Sequence, residues 1–72
     1  MEIRRVFVDK LELKNGMVLL GGAAYKYVAG VLRKGVKDRI DIIDGKGSLY
    51  HCVIDDEKTR EVRLHVLDTV TI

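Results

Sequence analysis

Lys14, Lys26, Arg33, Lys34 and Lys37 all lie between Glu12 and Asp38, an interval that contains no carboxylate. A phosphate backbone is attracted by Lys and Arg and repelled by nearby acids, so such an interval suits a polyanion. A solvated basic face without any partner has the same composition, and spacing must separate the two readings. The asymmetry extends along the whole chain. Residues 1–46 hold ten Lys/Arg against six Asp/Glu, whereas residues 47–72 hold three against five. The formal net charge of +2 conceals this division.

Other residue groupings could do chemistry but are poorly placed for it. His51 and Cys52 suggest a nucleophile or a metal ligand pair, yet adjacent strand residues point to opposite faces. Cys52 therefore reads as a small core hydrophobe, and His65 falls in the outward phase of its strand. Asp55, Asp56 and Glu57 read as a charged turn in which carboxylates remain solvated. Asp44-Gly45-Lys46-Gly47 has the composition of a phosphate cradle, but it joins two strands instead of opening a helix, so it reads as a tight turn. No GxSxG, P-loop, GxGxxG or CxxC motif is present. Neither catalytic nor metal-binding residues are expected. Tyr27 is expected in the core, while Tyr25 and Tyr50 could either stack on a base or pack with a wet hydroxyl.

The elements that would position the cations follow from periodicity. Ile3 to Val8 reads as a strand, and Leu11 and Leu13 alternate about Glu12. Asn15-Gly16 then makes a turn into a second strand, Met17 to Leu20, which Gly21-Gly22 breaks. Ala24, Tyr27, Val28, Val31 and Leu32 recur at helical spacing, predicting a helix over residues 23–34 with Val31 and Leu32 buried and Gly35 as its left-handed cap. Lys26, Gly30 and Arg33, at i, i+4 and i+7, would share the opposite face. Ile40 and Ile42 bracket Asp41, Leu49 to Ile54 forms a strand, and Val62, Leu64 and Val66 alternate with polar residues. The expected fold is mainly β, in the order β-β-α-β-β-β. A sheet this small buries its apolar face most economically as a closed or partly open β-barrel plugged by the helix.

Seventy-two residues make one domain. The single cysteine forbids an internal disulfide and suits a reducing cytosol, so a cytoplasmic location is expected. No stretch approaches the roughly 20 apolar residues that span a bilayer. The chain stops abruptly at Val70-Thr71-Ile72, as a domain excised from a longer polypeptide would.

These motifs, in this order, resemble a known family. Arg4-Arg5-Val6-Phe7-Val8 resembles its basic-aromatic opening strand, and Val31-Leu32-Arg33 its helix-closing Val-Leu-Arg. Ile40 to Gly47, reading IDIIDGKG, with Tyr50 shortly after, resembles its strand, Asp-Gly turn and strand. The family is RsmE, the 16S ribosomal RNA methyltransferases that modify N3 of a uridine. The resemblance covers essentially all of residues 1–72 and implies the family's N-terminal PUA-like RNA-binding domain. The catalytic SPOUT methyltransferase domain, which binds S-adenosylmethionine, would follow residue 72 in the parent and is absent from this chain. Departures are Tyr27, where the family commonly has His, Lys37, where Gly is frequent, and Gly30, where a polar or basic residue is frequent.

The resemblance implies a noncatalytic module that presents 16S ribosomal RNA, or the small ribosomal subunit, to a methyltransferase on a parent that could be a homodimer. No cofactor is expected in this chain, and S-adenosylmethionine is expected for the parent. The residues expected to contact RNA are Arg4, Arg5, Lys26, Arg33, Lys34 and Lys37. Strand alternation places only one of Arg4 and Arg5 on the exterior and leaves the other to pair with a carboxylate. Gly30 would let a sugar-phosphate backbone approach closely. The alternative is a small barrel for protein interaction or dimerisation.

Overall fold

Asn15 and Gly16 both adopt positive φ, 52° and 73°, the backbone that a two-residue hairpin turn requires. That turn starts the architecture. In the computed structural model, which describes residues 4–9, 11–58 and 60–71, it joins a two-residue strand β2 (Leu13–Lys14) to β3 (Met17–Gly21). Before them lies β1 (Arg5–Phe7); Ile3, expected to begin that strand, lies outside the described residues. After β3 comes a helical segment, α1 (Gly22–Tyr25), continued as a π-helix (Lys26–Val31). The long strands β4 (Arg39–Ile43), β5 (Ser48–Lys58) and β6 (Glu61–Thr71) complete the chain.

The mainly β expectation holds, and β2 adds one strand to the expected order. Among the described residues the six strands form a single sheet in the order β1-β4-β5-β6-β3-β2. With β1 and β2 at its two edges the sheet is not closed among the described residues, which matches the partly open form of the expected fold. β1 runs parallel to β4, and every other pair is antiparallel. Val6, Val18, Leu20, Ile40, Ile42, Cys52, Ile54, Val62 and Leu64 alternate inward along their strands and meet Val28 from the helix in one core. At roughly 25 cal/mol per Å² of apolar burial, this face is the main source of stability.

The sheet has two distinct ends. β1 and β4 begin, β3 and β5 finish and β6 begins at one of them, and Gly21 pairs there with Glu61. The helical segment leaves from that end at Gly22 and returns to it at β4. The Asn15-Gly16 and Asp44–Gly47 turns occupy the far end.

The expected turn at Asp55 to Arg60 is shorter than its charge suggests. β5 continues through Asp55, Asp56 and Glu57 to Lys58, and the chain reverses before Glu61 with Arg60 at φ 66°. Arg63, directly across from Asp56, makes this possible. Its Nε lies 3.3 Å from Asp55 and its Nη2 lies 3.6 Å from Asp56. Cross-strand pairing therefore holds these acids in the sheet, with a register shift between Ile54 and Asp56.

The helix departs further from expectation. Leu32 donates its N–H to the Tyr27 carbonyl at 2.9 Å, a bond spanning five residues. Such a turn is wider than the 3.6-residue α-helical turn on which the expected apolar stripe was drawn. Ala24, Val28 and Leu32, spaced by four, pack on the core. Val31 rotates outward to 69% exposure and Tyr27 to 41%, so neither is a core residue. Leu32 is half-buried. The left-handed cap is Arg33, at φ 55°, instead of Gly35.

Candidate nucleic-acid interface

The expected RNA-contacting cations divide between two surfaces. Arg33, Lys34 and Lys37 lie on the turn that carries the chain from the helix to β4. Backbone hydrogen bonds hold this turn. Lys34 N–H donates to the Val28 carbonyl at 3.0 Å and Lys37 N–H to the Ile54 carbonyl of β5 at 2.8 Å. Gly35 N–H donates to the Asp38 carboxylate at 2.8 Å. Lys37, like Arg33, has a positive φ, 77°. The backbone is thus tied to the sheet while the Arg33 and Lys37 side chains are exposed and Lys34 is half-buried.

Lys26 is exposed on the π-helix at the same end of the molecule. Gly30 remains near it at a spacing of four, and a β carbon at Gly30 would meet nothing within 4 Å. That part of the helix is open to an approaching backbone. Arg33, past the helix end and in the left-handed region, no longer continues the stripe of Lys26 and Gly30.

Arg4 joins this surface and Arg5 leaves it. The Arg4 carbonyl accepts the Asp41 N–H at 2.9 Å, so Arg4 lies where β1 and β4 begin, at the same end of the sheet as the helix-exit turn. Arg5 points to the outer sheet face, in register with Asp41, His51 and, one strand further, Asp68. In that row Asp41 is buried, and one of its carboxylate oxygens lies 2.8 Å from His51 Nδ1. Arg5 therefore belongs to a polar ladder across the outer face of the sheet.

Among the described residues, the ion pairs are His51 with Asp41 and Arg63 with Asp55 and Asp56. Arg4, Arg5, Lys26, Arg33, Lys34 and Lys37 take part in none of them. Asp38, a possible partner for Arg33, instead accepts from the Gly35 backbone. One acid does approach: Glu57 Oε2 would lie 3.7 Å from a β carbon at Gly35. The sequence interval conceals it because Glu57 arrives on β5, twenty residues downstream of Lys37.

Sequence reasoning missed Arg60. It stands at the β5–β6 reversal, and its carbonyl lies 3.7 Å from where a β carbon on Gly21 would sit, which puts it beside the start of the helix. Its cationic type and its place at a hairpin tip were visible. The strand register that carries it to the helix was not.

The remaining candidates have structural roles. Cys52 is fully buried, and burial first, then nearby Asp41, pushes its thiol up to about 11, leaving an inert thiol at neutral pH. Asp44 organises its own turn by accepting the N–H of Lys46 at 2.7 Å and of Ser48 at 3.2 Å. The Tyr50 hydroxyl donates to its other oxygen at 3.4 Å. These bonds, led by that from Lys46, hold the Asp44 carboxyl below its ordinary value against the opposing effect of burial. Among the described residues no three His, Cys, Asp or Glu side chains are grouped to hold a metal, and no helix is long and apolar enough to cross a membrane.

Residues 20–67 match the sequence profile of a family described as the RNA methyltransferase PUA domain. No curated protein matches the chain. Among solved structures, ribosomal RNA small subunit methyltransferase E from Neisseria gonorrhoeae, bound to S-adenosyl methionine, is similar over 97% of this chain and 29% of its own, with 21% identity and a TM-score of 0.79. A Thermotoga maritima protein described as a predicted RNA methyltransferase is similar over 93% of this chain and 30% of its own, at 19% identity and a TM-score of 0.76. A Legionella pneumophila protein solved with bound SAM covers 100% of this chain and 30% of its own, at 15% identity and a TM-score of 0.86. At these identities the likeness is one of fold, and the chain spans about 30% of the length of each.

Proposed function

We propose that this chain, which belongs to the RNA methyltransferase PUA domain family, is a noncatalytic module that binds RNA through the end of its sheet covered by the helix. The observation that supports this most is the arrangement at that end. Arg4, Lys26, Arg33 and Lys37 are exposed on backbone anchored to the sheet, and among the described residues none is in an ion pair. Cations on a fixed frame contact phosphates with little loss of conformational freedom and release counterions on binding. Such contacts orient RNA without reading its bases.

The finer reading is that the RNA is 16S ribosomal RNA. The module would present it in the cytoplasm to a SPOUT methyltransferase domain on the same parent, which would methylate N3 of a uridine. S-adenosylmethionine, the methyl donor, would be bound by that second domain, and the parent could act as a dimer. The supporting observations are the family membership and the likeness of fold to methyltransferase E.

Chemical-shift mapping by NMR with a ribosomal RNA hairpin tests the surface. The expected shifts gather on residues 22–37, Arg4 and the β5–β6 tip. Shifts confined to the Asp44–Gly47 turn and the outer sheet face would refute the reading.

A further inference from the structure

We infer that the cavity between the start of the helix and the β5–β6 reversal is a nucleotide site, holding an RNA phosphate between Lys26 and Arg60 with the attached nucleoside against Tyr25. This rests on the RNA-binding reading and adds a defined subsite to it. The cavity measures about 350 Å³ and is lined by Gly22, Tyr25, Lys26 and Arg60. That volume falls at the lower end of what small ligands occupy, and among the described residues the lining contains two cations and no carboxylate.

Each wall has a physical reason to be where it is. The Gly21–Glu61 pairing of β3 with β6 sets the hairpin tip against the first helical turn. Arg60 occupies the left-handed backbone region at φ 66°, where the chain must reverse. Gly22, at φ 56°, carries no side chain, and a β carbon there would meet nothing within 4 Å, so the mouth stays open. Tyr25 is half-buried and packed on the core, which makes its accessible surface a fixed platform. Among the described residues neither Lys26 nor Arg60 is in an ion pair. Another cavity, beside Met17 and Leu19, has a more acidic lining. Its lining holds three acids, Glu12, Asp56 and Glu61, against two cations, Lys14 and Arg63. Arg63 is engaged by Asp55 and Asp56, so this cavity favours a phosphate less than the cavity at Lys26 and Arg60 does.

Fluorescence anisotropy with a short labelled single-stranded RNA, measured across a salt series, tests the site. Arg60→Asn removes the cation and keeps a residue that tolerates positive φ. It should shallow the salt slope by about 0.7, the loss of one phosphate contact. Tyr25→Leu should weaken binding about fivefold to 150-fold, the loss of one base–aromatic stack, with Tyr25→Phe close to wild type. Circular dichroism melts report whether each variant folds; if Tyr25→Leu does not, the Arg60→Asn slope decides. The proposal falls if Arg60→Asn leaves the slope unchanged while Lys26→Ala with Arg33→Gly shallows it, an outcome that spares the broader RNA reading. It also falls if a folded Tyr25→Leu binds like wild type. Absence of any RNA binding by the wild-type chain would overturn both.

Discussion

The two ends of the sheet differ in how many cations they leave free. Among the described residues, Lys14 and Lys46 are exposed outside any ion pair at the far end, against Arg4, Lys26, Arg33, Lys37 and Arg60 at the helical end. At the far end, the Asp44 carboxylate is consumed by its own turn, bonding Lys46 N–H, Ser48 N–H and the Tyr50 hydroxyl. Phe7 lies over Gly45 so closely that a β carbon there would be 2.7 Å from the ring. At the helical end, main-chain bonds and the Asp38 carboxylate fix the turn, and the exposed side chains of Arg33 and Lys37 are left to solvent. One end is built for its own folding. The other has its backbone satisfied and its cations available, which is what a surface that meets a polyanion requires.

Substitutions can break or sharpen this contrast. Leu20, on β3 next to the helix, is 1% exposed, so Leu20→Ala should remove about 2–5 kcal/mol. That would abolish both ends together in a thermal melt, whereas half-buried Leu32→Ala should cost less. Gly45→Ala acts at the far end alone. It places a side chain at φ 73° and against Phe7, so it should lose roughly 1–2 kcal/mol from the left-handed backbone alone. RNA binding by the folded fraction should be unchanged. Arg33→Gly tests the helical end with effects of opposite sign. Relief of the left-handed arginine offsets glycine's entropic cost of about 0.5–1 kcal/mol, so stability should stay level or rise slightly while RNA affinity falls.

The smallest effect is one of pH. Asp44 is held below the ordinary aspartate value of about 3.9 in the folded state. Its bonds therefore stabilise the fold above that pH, and the contribution is lost as pH falls through the lower folded value. A series of melting temperatures between neutral and strongly acidic pH should show wild type and Asp44→Asn converging at the acid limit. Helical-end variants such as Lys26→Ala should follow the wild-type profile.

Much of this architecture is legible from local chemistry. Asn15-Gly16 can make its turn only with positive φ, Gly21-Gly22 ends a strand where φ must change sign, and Val62, Leu64 and Val66 alternate cleanly. What escapes depends on partners distant in sequence or on helical pitch. Val31 and Tyr27 fit an α-helical stripe, and nothing local announces the five-residue bond from Leu32 to Tyr27 that turns them outward. Asp55 to Glu57 look like a turn until Arg63 is placed across from Asp56. The candidate site divides along the same line. The basic interval and the exposure of Lys26, Arg33 and Lys37 could be read from composition, but the arrival of Glu57 near Gly35 and of Arg60 beside Gly22 could not. Both depend on strand register, which is a property of the whole sheet.

Salt dependence of RNA binding tests the central claim most directly. The wild-type chain and Lys26→Ala combined with Arg33→Gly would be titrated with the same ribosomal RNA hairpin across a range of ionic strengths. Two lost phosphate contacts should shallow the slope of log K against log salt by roughly 1.4 to 1.8, with the melting temperature nearly unchanged. An equal slope for the two proteins, both folded, would contradict the assignment of RNA binding to the helical end.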